Sequence, residues 1–203
     1  NGATTQDIVN LSAGTYTVSV MDVNGCSDTT VTSIIQPGTL SVTLNSKTDV
    51  SCNGSNDGSV DITVSAGTIP YTFNWSSGAT SEDIAFMGAT NYTVTITDAA
   101  SCNKVQSFII TQPAVISSFI LVGTPISCNG GSNGALNLMV SGGTTSYSFN
   151  WSNGATIEDV SGLGAANYNV TVSDANNCVS YASFNLTEPG AFSASVIGKA
   201  NVS

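Results

Sequence analysis

Two pairs of neighbouring acids are the residues of this sequence that most resemble catalytic groups. They are Glu82 with Asp83 and Glu158 with Asp159, and paired carboxylates can act as acid and base on a glycosidic bond. Neighbours in an extended segment point to opposite faces, so neither pair can act on one bond. The chain has no His and three Lys or Arg in total, so its Ser and Cys residues lack a general base. The sequence therefore indicates that this protein is not an enzyme.

The loop at residues 53–58 is the segment that most resembles a metal site. It places Asp57 among Asn, Ser and Gly residues, and hard cations need several oxygens from such a tight turn. Its counterpart at residues 129–134 has Asn133 in place of Asp57 and contains no carboxylate. Zinc has poor support, because the chain has neither a CxxC motif nor a His. We expect a simple Asn/Gly turn and no cofactor, with calcium near Asp57 as the alternative.

Two tryptophans could stack against sugar rings, but their neighbours favour a structural role. A Tyr and a Phe precede each Trp at alternating positions, so the three side chains share one face of a strand. Large aromatic side chains on one face are typical of a core. The sequence therefore predicts these core residues: Tyr71, Phe73, Trp75, Tyr147, Phe149 and Trp151.

A repeated phrase sets the organisation of the chain. YTFNWSSGAT at residues 71–80 returns as YSFNWSNGAT at residues 147–156, an interval of 76 residues, and the same interval aligns the flanking residues without a gap. Such a period indicates tandem repeats. We expect the C-terminal part of a preceding repeat at residues 1–37, complete repeats at 38–113 and 114–189, and the first strand of a following repeat at 190–203.

The composition excludes several classes of partner. The formal net charge is −10, with 13 acids against three basic residues, so the chain should repel nucleic acid and anionic lipid. Its apolar runs are no longer than strands, so we expect no membrane insertion. Hydrophobic residues make up 41% and charged residues 8%, which argues against a disordered acidic tail.

Within each repeat, apolar and polar residues alternate in short runs that turn signals separate. Val60, Ile62 and Val64, for example, share one face of a strand. Six or seven such strands, with an aromatic third strand and a Tyr that begins the strand at residue 92, indicate an immunoglobulin-like sandwich. We predict an all-β fold of tandem immunoglobulin-like β-sandwich repeats with a 76-residue period. The short linkers at residues 36–38 and 112–114 favour an end-to-end arrangement.

Three motifs of each repeat resemble the SprB repeat. They are Cys-Asn-Gly-x-x-x-Gly at 52–58 and 128–134, Gly-Thr-x-x-Tyr-x-Phe-Asn-Trp-Ser-x-Gly-Ala-Thr at 67–80 and 143–156, and Tyr-x-Val-Thr-x-x-Asp-Ala-x-x-Cys at 92–102 and 168–178. Pro70 fits the Pro-Tyr of the family, and Ser146 departs from it. SprB repeats build very large surface adhesins of gliding Bacteroidetes. The resemblance therefore implies a cell-surface filament that is exported by the type IX system and takes part in gliding motility.

Two functions are compatible with these features. In the favoured one, the repeats form a stiff spacer in an extracellular adhesin, and neighbouring repeats of the same chain are the partners. In the alternative, each repeat is a glycan-binding module that contacts surface polysaccharide. Only the family resemblance implies the gliding and secretion machinery as a further partner. Two Cys per repeat fit an oxidising, extracellular setting at the cell surface.

The cysteines allow two pairings. One is a bridge inside each repeat, Cys52–Cys102 and Cys128–Cys178. In a sandwich of this type, however, the two turns that carry these residues lie a strand length apart, whereas a disulfide needs Cα atoms within about 7 Å. We therefore favour a bridge between consecutive repeats, Cys52–Cys178. Cys26, Cys102 and Cys128 would then have partners outside this sequence.

Overall fold

The structure is a computed structural model that describes residue 4, residues 7–195 and residues 197–198. These residues contain no helix, which confirms the all-β prediction. They form fourteen strands: β1 Gly14–Met21, β2 Ser27–Ile34, β3 Ser41–Thr48, β4 Gly58–Ser65, β5 Thr72–Trp75, β6 Ile84–Met87, β7 Asn91–Thr97, β8 Asn103–Ile109, β9 Ser117–Thr124, β10 Gly134–Ser141, β11 Ser148–Trp151, β12 Val160–Leu163, β13 Ala166–Ser173 and β14 Val179–Leu186.

Each complete repeat divides its six strands between two three-stranded sheets. The repeat at 38–113 forms the sheets β3-β4-β6 and β5-β7-β8, and the repeat at 114–189 forms β9-β10-β12 and β11-β13-β14. In both, the first, second and fourth strands make one sheet, while the third, fifth and sixth make the other. This is the strand partition of an immunoglobulin-like sandwich, so the predicted fold class is confirmed.

Alternation along the central strands β4, β7, β10 and β13 places the core between the two sheets. In β10, Leu136 and Leu138 are buried, and Asn137 between them is exposed. In β13, Tyr168, Val170 and Val172 are buried in the same way. This is the period of two that the sequence shows. The core of the second repeat consists of Ile120, Ile126, Leu136, Leu138, Trp151, Val160, Leu163, Tyr168, Val170, Val172 and Leu186.

The aromatic third strand is only in part a core strand. Trp75 and Trp151 are each 2% exposed, and their indole Nε1–H groups donate to the backbone oxygens of Ser81 and Ile157 at 2.9 Å. The Tyr and Phe residues that share their face are half-buried. Both Tyr hydroxyls at this position also donate to a backbone carbonyl five residues upstream. The strands β5 and β11 therefore run from the edge of the core to its interior.

A tyrosine corner forms at the start of the fifth strand. The hydroxyl of Tyr168 donates to the backbone oxygen of Gly164 at 3.1 Å, and that of Tyr16 donates to Ser12 at 2.7 Å. The first pair lies in a complete repeat, and the second lies in residues 1–37, so this local feature does not need the rest of the sandwich. It ties the start of the strand to the turn before it.

Residues 1–37 contribute one hairpin, β1 paired with β2. The period places a strand equivalent to β6 at residues 8–11, before β1, but residues 7–13 form no strand. The equivalent strands in the complete repeats, β6 and β12, pair with β4 and β10, and residues 1–37 contain no counterpart of those partners. At the other end, residues 190–195 and 197–198 form no strand. Residues 196 and 199–203 lie outside the described residues, so the first strand of a following repeat stays a prediction.

Contacts between Cα atoms group the chain into two compact units that do not coincide with the sequence repeats. One unit comprises Asn1–Asn45, Asp61–Glu82 and Tyr92–Ser107. The other comprises Ser46–Val60, Asp83–Asn91 and Phe108–Ser203. The second unit thus combines one end of the repeat at 38–113 with the whole of the repeat at 114–189. None of the described residues lies in a helix of the length and apolarity that a membrane span requires.

Candidate functional site: two loops joined by a disulfide

The loop between β3 and β4, which we call the Cys52 loop (residues 50–57), is closed by its own polar groups. Asp57 Oδ1 accepts the backbone N–H of Ser51 at 3.0 Å, and the backbone oxygen of Cys52 accepts the N–H of Ser55 at 3.0 Å. The hydrogen bonds from the Ser51 hydroxyl and amide lower the pKa of Asp57. The carboxylate that suggested a calcium site therefore acts in closing the turn.

The equivalent loop of the second repeat closes in the same way without a charge. Asn133 Oδ1 accepts the backbone N–H and the hydroxyl of Ser127 at 3.1 and 3.2 Å. A neutral amide oxygen thus accepts at the position where Asp57 has a carboxylate, which is the stronger acceptor of the two. Among the described residues, no group of three or more His, Cys, Asp or Glu side chains could hold a metal ion.

The Cys52 loop also holds the linker that leads into the second repeat. Asn53 Nδ2 donates to the backbone oxygen of Pro113 at 3.0 Å, and the Gly54 N–H donates to Gln112 Oε1 at 2.9 Å. The positive φ of Gly54, 79°, lies in the left-handed region, which glycine adopts without strain. We call these contacts the linker clamp. The clamp restricts the Gln-Pro linker from the side, through both its backbone and its side chain.

The linker clamp recurs 76 residues later. Asn129 Nδ2 donates to Glu188 Oε1 at 2.7 Å and to the backbone oxygen of Pro189 at 3.2 Å, while the Gly130 N–H donates to Glu188 Oε2 at 2.8 Å. The sequence analysis treated Asn53 and Asn129 as turn residues and missed this function. The signal was present, because Cys-Asn-Gly and Gln/Glu-Pro recur together at the period. Their contact, however, spans about 60 residues and depends on the fold.

The second loop of the site is the hairpin between β13 and β14, which carries Cys178. Asp174 organises this hairpin. Its Oδ1 accepts the N–H groups of Asn176 and Cys178 at 2.9 Å, and its Oδ2 accepts the N–H of Thr144 at 2.8 Å. Asp174 is 5% exposed. Burial raises its pKa, but the three amide hydrogen bonds outweigh that effect and lower it below the ordinary value. The carboxylate therefore fixes the backbone that carries Cys178.

A disulfide joins these two loops. Cys52 and Cys178 are bonded, with Cα atoms 5.7 Å apart and a sequence separation of 126. This is the pair that the sequence analysis favoured, and the intra-repeat pairs are not formed. Asn176 Nδ2 reinforces the junction by donating to the backbone oxygen of Ser51 at 2.9 Å. The remaining cysteines are free and exposed: Cys26, Cys102 and Cys128.

The acidic pairs take part in strand contacts. Glu82 Oε1 accepts the backbone N–H of Val64 at 3.1 Å, and Asp159 Oδ1 accepts that of Leu138 at 2.9 Å. One member of each pair therefore satisfies a backbone donor on the neighbouring strand, which is a structural role.

The sheet topology defines a tandem β-sandwich protein, and its disulfide is of a kind that is rare in reducing compartments. Residues 44–80 and 122–156 match the family model of the SprB repeat. The two matches end 76 residues apart, so they cover equivalent parts of the two complete repeats. The resemblance found in the sequence is therefore confirmed for these two segments. No curated protein matches the chain.

Among solved structures, a Dscam structure is 11% identical with a TM-score of 0.32, and the match covers 82% of this chain and 52% of that one. Murine CEACAM1b is 12% identical with a TM-score of 0.30, covering 73% and 100%. The first eight Ig domains of a Down Syndrome Cell Adhesion Molecule isoform are 11% identical with a TM-score of 0.30, covering 86% and 21%. The chain thus spans about half the length of the first of these structures. The fold class rests on the sheet topology.

Proposed function

We propose that this chain is a spacer segment of a long extracellular surface adhesin, in which consecutive repeats are locked together to resist bending and pulling. The adhesin would be exported by the type IX system and take part in gliding motility, as the family resemblance implies. Neighbouring repeats of the same chain are its immediate partners. The observation that carries the proposal is the Cys52–Cys178 bond, which covalently connects a loop of one repeat to a hairpin of the next.

The linker clamp supports the same function. A Gln-Pro linker bound only at its two ends would let adjacent repeats pivot, whereas hydrogen bonds from Asn53 and Gly54 hold it along its length. The compact unit that contains the second repeat also includes residues 46–60 and 83–91 of the first. An ordinary flexible linker would instead separate two units at the linker itself. The linker therefore has the properties of a fixed joint.

A groove beside Cys102 supports the proposal that further repeats are joined by equivalent disulfides. The groove of about 290 Å³ beside Cys102 is lined by Gly38, Leu40 and Asn103 among others. The residues one period later in the sequence are Ala114, Ile116 and Val179. These line the groove in which Cys52 and Asn53 lie beside Cys178. We infer that the groove at Cys102 receives the Cys-Asn-Gly loop of a preceding repeat. Cys26 and Cys128 would form equivalent disulfides with cysteines of other repeats.

The glycan-binding alternative has less support, because its best aromatic candidates are not accessible. Trp75 and Trp151 are 2% exposed and donate their indole N–H groups within the protein. A sugar-stacking platform needs an open aromatic face. Retention of the chain on immobilised polysaccharide, measured against a non-binding protein of similar charge, would test this alternative directly.

Single-molecule pulling from the two ends of the chain tests the spacer function. The disulfide excludes the residues between Cys52 and Cys178, a sequence separation of 126, from extension under oxidising conditions. Each extended residue adds about 3.3 to 3.6 Å, so reduction should lengthen the fully unfolded chain by roughly 400 Å.

A Cys102→Ser variant is the matched control, since its thiol is free and the oxidised length should not change. A chain whose unfolded length is the same with and without reductant would contradict the proposal. So would a length increase that matches a bridge within one repeat.

A further inference from the structure

The outer face of the sheet β9-β10-β12 carries an apolar cluster that the fold does not need. Phe119 and Leu121 on β9 and Met139 on β10 point away from the core and are 48% to 52% exposed. Met139 lies directly opposite Phe119 in the strand register, and Leu121 lies two residues further along β9. The three side chains therefore form one continuous patch, which we call the outer apolar patch.

The equivalent face of the first repeat shows that the same strands fold with polar residues here. Thr43, Asn45 and Thr63 occupy the positions of Phe119, Leu121 and Met139, one period earlier. Asn45 Nδ2 donates to Thr63 Oγ1 at 2.7 Å and to Asp61 Oδ1 at 2.8 Å, so polar groups cover that face. The apolar residues of the second repeat are therefore not a requirement of the sheet. Exposed apolar clusters of this kind mark interaction surfaces.

The charge distribution identifies the partner that suits this patch. The strands β9, β10 and β12 contain no charged residue, on a chain whose net charge is −10. Two copies would repel each other over most of their surfaces, but this face can approach its own copy without like charges meeting. A polysaccharide would find few hydrogen-bonding side chains on the patch, and a basic partner would find no acid there.

The size of the face is sufficient for a weak dimer. Strands of eight residues are roughly 26 Å long, and three neighbouring strands are about 14 Å wide. Because β12 has only four residues, two such faces packed together cover roughly 600 to 700 Å², which is below the standard size of a specific interface, so the contact should be weak. Sheets pack face to face at about 10 Å, and the apolar residues at the centre fill that space.

We propose that the outer apolar patch is a self-association surface, through which two copies of this chain pack with the β9-β10-β12 sheets face to face. In a long surface protein, such a contact would join neighbouring molecules side by side. Many weak contacts along parallel molecules would then add to a strong one. This inference does not depend on the spacer function.

Sedimentation equilibrium of the complete 203-residue chain tests the proposal. Cys26, Cys102 and Cys128 are first replaced by Ser, so that no new disulfide can produce a dimer. We expect a reversible dimer with a Kd between about 10 μM and 1 mM. Replacement of the patch by the residues of the first repeat, F119T with L121N and M139T, should weaken the dimer at least tenfold.

Two further variants make the result specific. Ile157 is exposed but lies outside the sheet, and I157S, which introduces the residue found one period earlier, should leave the Kd unchanged. M139E places one carboxylate on each copy and should also abolish the dimer, which covers the case in which the triple variant does not fold. A wild-type chain that is monomeric up to about 1 mM would overturn the proposal. So would a dimer that persists equally in the triple variant and M139E, since the contact would then lie elsewhere.

Discussion

Removal of the disulfide between Cys52 and Cys178 should lower the stability of the second repeat far more than removal of any other thiol. The bond closes a loop of 126 residues, and the chain-entropy relation gives about 5 kcal/mol for a loop of that length. If the first repeat stays folded, the unfolded loop runs only from the linker to Cys178. Because the closure term depends on the logarithm of loop length, the effect remains about 4 kcal/mol.

The measurement is differential scanning calorimetry of the double variant Cys52→Ser with Cys178→Ser. For a domain of this size, 1 kcal/mol corresponds to about 4 to 8 °C in Tm, so the second repeat should unfold at least about 15 °C lower. The control is Cys102→Ser with Cys128→Ser, which removes two free and exposed thiols and should shift the Tm by less than about 2 °C.

Equal Tm values for the two double variants would refute the reasoning. A larger fall in Tm for the double variant Cys102→Ser with Cys128→Ser would also refute it. The stabilising bonds would then lie within the repeats. Peptide mapping without reductant provides an independent reading, in which the wild-type chain should yield a cross-linked peptide containing Cys52 and Cys178.

Three further predictions follow from single contacts. A Cβ at Gly134 would lie 2.9 Å from the backbone oxygen of Leu163, so Gly134→Ala should destabilise by about 1 to 3 kcal/mol in urea titration, whereas Gly164→Ala, with no atom closer than 3.7 Å, should be nearly neutral. The lowered folded-state pKa of Asp174 means that the stability its carboxylate contributes is present above about pH 4 and is lost as the pH falls through that lowered value. Asp174→Asn should remove this part of the acid sensitivity, measured by urea titration across the acid range, and an unchanged pH profile would contradict it. Finally, Gln112→Ala should speed hydrogen exchange of the Gly54 N–H about tenfold, because that donor loses its acceptor; an unchanged exchange rate would show that the side chain of Gln112 does not hold the loop.

Much of the fold could be predicted because it depends on short-range patterns. The alternation of Val60, Ile62 and Val64 identifies a strand and its inner face without any knowledge of its neighbours. The 76-residue period then transfers each assignment to the next repeat. The expected strand before β1 shows where this fails. Ile8 and Leu11 occupy the positions of Ile84 and Met87 in β6, but a strand needs a hydrogen-bonded partner, and residues 7–13 have no equivalent of β4 or β10 beside them.

The candidate site could be predicted only in part. The two cysteine positions were visible as motifs, and the length of a sandwich argued against a bridge within one repeat. The linker clamp was not predicted, because Asn53 and Pro113 are 60 residues apart and neither residue type signals the other. The half-burial of Tyr71 and Phe73 was missed for a similar reason, since alternation gives the face of a strand but not its distance from the edge of the core.

The sequence by itself determined the repeat length, most strands of the complete repeats with their inner faces, and the lack of a His that could act as a general base, because each depends on residue types in a regular pattern. Only the tertiary structure decided which loops meet. It brought Cys52 to Cys178 and Asn53 to the linker, and it placed Phe119, Leu121 and Met139 together on an open face. The physical reason is that contacts between distant residues depend on the order of strands in two packed sheets. That order is set by the burial of the whole core and cannot be read from any local pattern.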